Sequence, residues 1–186
     1  MLSIFIDPIK YKMKTFRQYV EFIDDKSKLL ELKVLDKLNE LGLEYFIYEH
    51  PPLRTVEESK ALRGELHGGH TKNLFLRDKK KKNYLITVNE NQKIDLKFLE
   101  SELSSGRLSF GSPERLSQFL GVKPGAVSPL ALLNDKHNDV AFFIDHNLLS
   151  ENILNFHPLV NHLTVSIKVT DFKYFLKSQN KFYNEI

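Results

Sequence analysis

The chain has 186 residues, with 41% hydrophobic residues, 27% charged residues and a net charge of +3. These proportions fit one folded domain with a hydrophobic core and exclude an intrinsically disordered chain. The absence of cysteine excludes disulfides, zinc–thiolate sites and cysteine nucleophiles. Since no apolar run reaches transmembrane length, we expect no membrane contact. The absence of cysteine suits a reducing cytosol, and we expect a cytoplasmic location.

The first predicted elements are two helices separated by a strand. Leucine and valine recur at helical spacing over residues 26–43, which predicts a helix that stops near Gly42. An aromatic strand is predicted at 45–48. A capping-box pattern predicts a second helix over 55–64. We expect residues 1–25 to be an N-terminal extension and lead-in, and residues 26–186 to be a single domain.

A β-hairpin with a charged tip comes next. Strands are predicted at 72–77 and 84–88, and a short polar turn joins them. The turn carries four consecutive lysines, which are Lys79, Lys80, Lys81 and Lys82. Such a tip can grip an RNA backbone, although a tip that is merely solvated is the more common case.

The remaining elements mix helices and strands without strict βαβ alternation. Ser112 and Pro113 begin a helix that ends at Gly121, and Thr170 is the expected cap of the last helix. The other elements are a helix at 96–103, strands at 108–110, 140–144 and 163–167, and the last helix at 171–176. This order favours an α+β fold with a mixed, largely antiparallel sheet and surrounding helices.

Two segments are suited to an anionic ligand. In the first, two glycines lead to Lys72, which can hold a phosphate, and Asn73, which can bond a ribose hydroxyl or an ester carbonyl. The second is a loop whose small residues leave backbone N–H groups accessible and can form an oxyanion hole. Its residues are Gly125, Ala126, Val127, Ser128 and Pro129. A solvated lysine and a rigid surface connection are the alternative interpretations.

His157, between Phe156 and Pro158, is a candidate for orienting a substrate amine or a water. A purely structural histidine is an equal alternative. The chain has no nucleophile elbow, phosphate-binding loop, dinucleotide fingerprint or zinc-protease motif, so we expect neither a metal nor a cofactor.

The order of several strings resembles one family, the YbaK/prolyl-tRNA-synthetase editing-domain superfamily. The strings are His70–Asp78 with the lysine turn, Gly106–Ser112, Leu120–Pro129, and Asn155–Asn161 with Thr164. An early run, His50–Ser59, is most similar to the free-standing branch that deacylates Ala-tRNA(Pro).

The resemblance implies hydrolysis of alanine mischarged onto proline tRNA. It places the functional lysine at Lys72, the adjacent asparagine at Asn73, the glycine–proline loop at Gly125–Pro129 and the histidine at His157. Lys72 is expected to grip a phosphate near the tRNA 3′ end, and Asn73 to help fix the terminal ribose. The N–H groups of Gly125 and Ala126 would face the ester carbonyl. Val127, Ser128 and Pro129 of this loop are expected to bind the substrate together with Asn73. Ser128 stands where threonine is common, so a hydroxyl is retained.

The expected partners are the acceptor end of tRNA(Pro) and prolyl-tRNA synthetase. Two alternatives remain open. One is a deacylase for another mischarged tRNA, such as Cys-tRNA(Pro) or a serine-charged species. The other is a non-catalytic tRNA- or synthetase-binding module. The modest charge weakens a third interpretation, a general nucleic-acid-binding protein.

Overall fold

A computed structural model describes residues 25–52 and 66–186, with side chains from residue 29 onward in the first helix. The predicted helix over 55–64 and all but the last residue of the predicted N-terminal extension lie outside the described residues. In the described part, the helices are α1 (Asp25–Glu40), α2 (Leu96–Glu102), α3 (Pro113–Leu120) and α4 (Val169–Ser178). The strands are β1 (Tyr45–Glu49), β2 (Gly69–Arg77), β3 (Asn83–Asn89), β4 (Ser109–Phe110), β5 (Val140–Ile144), β6 (Ile153–Phe156), β7 (Leu163–Lys168) and β8 (Tyr183–Glu185).

The strands form one eight-stranded mixed sheet. Their order is β1-β7-β6-β2-β3-β5-β8, and β4 pairs with β2 beside this path. The pairs β1–β7, β2–β3, β2–β4 and β6–β7 are antiparallel, whereas β2–β6, β3–β5 and β5–β8 are parallel. The predicted fold class, α+β with a largely antiparallel mixed sheet and surrounding helices, is confirmed.

Helix boundaries follow the predicted stop and start signals in two helices, α1 and α3. Gly42, just after α1, has φ +67°, a left-handed conformation that glycine adopts without strain. Ser112 caps α3, because its hydroxyl accepts a hydrogen bond from the Arg115 N–H at 3.3 Å. Gly121 ends that helix with φ +69°.

Other local predictions were incomplete or wrong. Thr170 does not cap the last helix, because α4 already begins at Val169 and Lys168 occupies the cap position. The sequence pattern also missed β6 and β8, which are only four and three residues long. Pro129 does not belong to a plain loop, since it begins a buried 3-10 helix, Pro129–Asn134.

Two apolar clusters lie on the two faces of the sheet. The larger cluster contains Phe75, Leu85, Phe142 and Phe156, together with buried side chains of α1, α3, α4 and the 3-10 helix. The smaller cluster consists of Leu76, Tyr84, Ile86, Val88, Leu99 and Leu108. Since successive residues of a strand point to opposite faces, these clusters fix the face to which each site residue belongs.

Candidate functional site

Lys72 and Asn73 are neighbours on β2 but point to opposite faces of the sheet. Phe75 packs in the larger cluster and Leu76 in the smaller one. Alternation along the strand therefore directs Asn73 toward the face of the larger cluster and Lys72 toward the other face. The Lys72 ammonium donates a hydrogen bond to the backbone carbonyl of Gln92, in the loop after β3.

Asn73 is held by a cross-strand partner on β3. Its side-chain oxygen accepts a hydrogen bond from the hydroxyl of Thr87, which lies directly opposite it in the β2–β3 register, at 2.7 Å. Thr87 is fully buried. Because the oxygen is engaged by Thr87, the NH2 group of the Asn73 carboxamide is the end that can donate to a ligand.

The glycine–proline loop packs on the same face as Asn73. Ala126 and Val127 belong to the larger cluster, and Ala126 is buried. Gly125 has φ +91°, a conformation that is strained for other residues and allows the tight bend here. The loop and Asn73 thus share a face, while the convergence of the loop with Lys72 on one substrate remains a prediction.

Two predicted roles within the loop receive no support from the local geometry. The Ala126 N–H donates to the Lys123 carbonyl at 3.1 Å and so closes a turn. The Ser128 hydroxyl is fully buried and accepts a hydrogen bond from the Leu130 N–H at 3.2 Å, which caps the 3-10 helix that begins at Pro129. Within the described ranges, the amides of Gly125 and Val127 make no such hydrogen bond, which leaves them as the loop's candidate donors.

Polar side chains line the other face of β7, β6 and the start of β2, which we call the polar surface; two of them, Asn155 and Ser166, are buried. Val165 and Leu154 point into the larger cluster, so their neighbours on each strand point away from it. Asn155 and Ser166 lie opposite each other in the β6–β7 register, and the Ser166 hydroxyl donates to the Asn155 side-chain oxygen. The Asn155 NH2 group donates to the His67 carbonyl at 3.0 Å. These bonds anchor the chain that enters β2.

The parallel pairing of β2 with β6 relates the positions of Lys72 and His157. His70 lies opposite Asn155 in this register, and Lys72 and His157 each come two residues later. Both residues are on the polar surface by strand alternation. The β2–β6 register therefore relates two predicted site residues that are 85 positions apart in the chain.

His157 belongs to a group of three histidines that includes His50 and His162. The rings of His50 and His157 have centroids 5.8 Å apart. The His157 Nδ1–H donates to the Leu163 carbonyl at 2.7 Å, which leaves Nε2 as the acceptor in the neutral ring. Burial lowers the pKa of His157 and outweighs this hydrogen bond, and the charge of His162 lowers it further. His157 is therefore uncharged at neutral pH.

His50 is the member of this group whose role the sequence pattern did not reveal. Its Nδ1–H donates to the Pro51 carbonyl and its Nε2 accepts from the Thr164 hydroxyl, both at 2.9 Å. Burial, reinforced by His157 and His162, lowers the pKa of His50 to about 4. The signal available in the sequence was its place between an aromatic strand and two prolines, which fixes the backbone but predicts no contact with His157.

The lysine tip is a rigid, exposed turn. The Lys82 N–H donates to the Asp78 carboxylate at 2.9 Å, and the Lys81 N–H donates to the Asp78 carbonyl at 3.1 Å. Arg115 of α3 bonds the Lys81 carbonyl and the Asn83 side-chain oxygen. The four side chains of Lys79, Lys80, Lys81 and Lys82 are all exposed.

Residues 25–52 and 66–186 contain no set of three histidine, cysteine, aspartate or glutamate side chains arranged to hold a metal ion. Over the same residues, no helix is long and apolar enough to cross a membrane.

Comparison with known proteins identifies the family of the chain. The aminoacyl-tRNA editing domain family matches residues 50–175, which include strands β2 to β7. Prolyl-tRNA editing protein ProX of Acetoanaerobium sticklandii is 38% identical over 154 residues, covering 82% of this chain and 94% of that protein. Prolyl-tRNA synthetase associated domain-containing protein 1 of Mus musculus is 36% identical over 154 residues, covering 80% and 90%.

A solved structure shows the same fold. A protein provisionally described as a trans-editing enzyme for prolyl-tRNA synthetase superposes with a TM-score of 0.63, at 19% identity, over 88% of this chain and 97% of that one. The family match spans most of the chain, and the relatives are similar over nearly their whole lengths. The chain therefore belongs to the aminoacyl-tRNA editing domain family.

Proposed function

We propose that the chain hydrolyses the ester bond of alanine mischarged onto proline tRNA. The observation that carries this proposal is the parallel pairing of His70 with Asn155, which Lys72 and His157 each follow by two residues, within the region that matches the editing-domain family. The curated relative at 38% identity is a prolyl-tRNA editing protein, which supports proline tRNA as the nucleic acid.

The chemistry needs no protein nucleophile. An aminoacyl ester is already reactive, so positioning the ester and a water and stabilising the oxyanion are sufficient. The neutral His157 ring has an acceptor at Nε2, because Nδ1 is committed to Leu163. That nitrogen can orient the attacking water or the substrate amine.

Lys72 supplies the positive charge of the site. We assign its ammonium to a phosphate near the tRNA 3′ end, where a point charge is sufficient. The carboxamide of Asn73, held by Thr87, donates to the aminoacyl end from the opposite face. Of the loop's backbone N–H groups, those of Gly125 and Val127 are our candidates for donors to an oxyanion.

The lysine tip is proposed as the contact for the acceptor stem. From Lys72 to the tip is about 20 Å along β2, since a strand rises about 3.3 Å per residue. An RNA stem whose 3′ end lies at Lys72 has phosphates at that distance. We extend the proposal to prolyl-tRNA synthetase as a partner, on the strength of the names of the relatives alone.

The test is a panel of labelled substrates given to the purified chain: Ala-tRNA(Pro), Cys-tRNA(Pro), Pro-tRNA(Pro) and Ala-tRNA(Ala). Release of label from Ala-tRNA(Pro) alone is the expected result. Release from Cys-tRNA(Pro) instead would assign a different specificity, and release from none would reject the enzymatic proposal. Lys72→Met is expected to lose about 10- to 100-fold in kcat/KM, the range for a charged hydrogen bond. Lys97→Met, which changes an exposed lysine of α2, is the matched control.

A further inference from the structure

The central strand β2 has an unpaired stretch along one of its edges. On the β3 side it is paired from Thr71 to Arg77. On the other side it pairs with β6 at Gly69 and His70, and with β4 at Leu76 and Arg77. Between these two short pairings, in the part of the chain that the structure describes, no strand lies against β2. We call this stretch the sheet gap.

The direction of the peptide groups shows which residue faces the sheet gap. The Glu90 N–H donates to the His70 carbonyl at 3.0 Å on the β3 side, and the Gly111 N–H donates to the Phe75 carbonyl at 2.9 Å on the β4 side. Successive residues of a strand direct their peptide groups to opposite edges. Asn73, an even number of residues from Phe75, therefore directs both its N–H and its C=O into the sheet gap.

The sheet gap spans one residue of β2 whose peptide groups are directed to this edge. At one end the Thr71 hydroxyl donates to the Asn155 carbonyl at 2.9 Å, so β6 reaches as far as Thr71. At the other end, the Phe75 carbonyl already accepts a hydrogen bond from the Gly111 N–H. Of the peptide groups directed to this edge, those of Asn73 lie between the two. A full strand cannot enter, but a single amino acid can make the two hydrogen bonds of one ladder pair.

The aminoacyl end of a charged tRNA has the matching donor and acceptor. Its α-ammonium and its ester carbonyl are spaced like the N–H and C=O of one residue in a strand. Resting on the deacylase function above, we propose that the aminoacyl group pairs with the backbone of Asn73 as a one-residue strand. The ammonium donates to the Asn73 carbonyl, and the ester carbonyl accepts from the Asn73 N–H.

This pairing places the Asn73 N–H where negative charge develops. Water adds to the acyl carbon, and the carbonyl oxygen becomes an oxyanion that the N–H stabilises. The tetrahedral intermediate then expels the ribose oxygen, which takes up the proton that the water gives up. The products are the free amino acid and the tRNA with its terminal hydroxyl restored.

The pairing also predicts where the substrate side chain lies. Side chains of directly paired residues project to the same face of a sheet. The methyl group of alanine therefore lies on the Asn73 side, the face on which Ala126 and Val127 pack. The polar surface, with Lys72 and His157, is left for the tRNA end and the water.

Amide hydrogen exchange measured by NMR tests the pairing directly. The probe is a non-hydrolysable analogue, alanine joined by an amide to 3′-amino-3′-deoxyadenosine. At saturation, exchange of the Asn73 N–H is expected to slow at least 10-fold, whereas the Leu74 N–H, which faces β3, stays protected throughout. A propionyl analogue, which lacks the ammonium, is expected to bind at least 10-fold more weakly. Unchanged exchange at Asn73 with the alanyl analogue bound would overturn the proposal.

A pair of variants separates backbone from side chain. Asn73→Pro removes the N–H, and Asn73→Ala keeps it. Proline is tolerated where the N–H makes no ladder bond, and a backbone ester at position 73 replaces this variant if it does not fold. We expect kcat of the proline or ester form to be at least 100-fold below that of Asn73→Ala, and equal rates would reject the pairing. If the wild-type chain deacylates no aminoacyl-tRNA, the proposed function fails; wild-type turnover with an unaltered Asn73 amide rejects the pairing alone.

Discussion

The hydroxyl of Thr87 and the side-chain oxygen of Asn73 meet at 2.7 Å across adjacent strands. Thr87 is fully buried, and Asn73 lies at the sheet gap. The bond therefore connects the packed interior to the candidate site and fixes the orientation of the Asn73 carboxamide.

Replacing Thr87 with valine keeps the shape but removes the donor. The Asn73 carboxamide can then rotate, so we expect kcat/KM for Ala-tRNA(Pro) to fall about 5- to 10-fold, with a loss of about 1 kcal/mol in unfolding free energy. Deacylation kinetics and urea unfolding measure the two effects. Thr87→Ser, which keeps the hydroxyl, is the control. Equal losses of activity in both variants would contradict the role of the hydrogen bond.

The neutral ring of His157 predicts the pH dependence of the reaction. The active form is uncharged, and its pKa lies below the ordinary value of 6.5. We therefore expect kcat/KM to be independent of this histidine above about pH 6.5 and to decline only at lower pH. His157→Ala should abolish that acid limb along with most of the activity. An acid limb that persists in the variant would assign the titration to another group.

His50 predicts a dependence of stability on pH. Its pKa is about 4 in the folded chain and 6.5 as the ordinary value, so the unfolded state binds more protons between these values. Its contribution is fully present above pH 6.5 and is lost as the pH falls through 4. The loss is about 3 kcal/mol at 1.36 kcal/mol per unit.

Thermal or urea unfolding from pH 7 to pH 4 measures this loss. His50→Gln, which has no titratable group, should show a flatter profile. His137→Gln, in an exposed loop, is the matched control and should follow the wild type. A wild-type slope in His50→Gln would show that the acid sensitivity has another source.

The lysine tip predicts a salt-dependent KM. Changing Lys79, Lys80, Lys81 and Lys82 together to glutamine removes four charges. Each RNA phosphate that the variant no longer neutralises reduces the slope of log affinity against log salt by about 0.9. We expect KM for tRNA to rise about 10-fold or more with kcat nearly constant. The control changes four other exposed lysines, Lys93, Lys97, Lys136 and Lys177, to glutamine. This control has the same net charge as the tip variant, but its salt slope should equal that of the wild type.

The sequence predicted most of the regular elements because their signals are local. Gly42 and Ser112 acted as stop and cap, and the hairpin on either side of the lysines was correctly placed. The β6 strand was missed because Asn155 interrupts an apolar run of only four residues. Asn155 has a place in this strand because its side chain bonds to Ser166 of β7 and to the chain that enters β2, which are tertiary contacts.

The site also has features that the sequence predicts and features that depend on tertiary contacts. Lys72 and His157 could be chosen from the sequence by resemblance, but the relation between their strands depends on a parallel pairing of β2 with β6 that no local pattern encodes. The contact of His50 with His157 depends on β1 lying beside β7. The resemblance places Ser128 in the substrate-binding loop, and the burial of its hydroxyl as a helix cap is visible only once the 3-10 helix is packed.

The bounded length of the sheet gap has a consequence for tRNAs in the course of translation. On the proposed pairing, β6 and β4 close the opening at both ends, so a substrate whose amino group already carries a peptide has no channel for the preceding residues. It also lacks the cationic nitrogen. The extent of β6 and β4 therefore excludes peptidyl-tRNA from hydrolysis, without a side chain that serves this purpose.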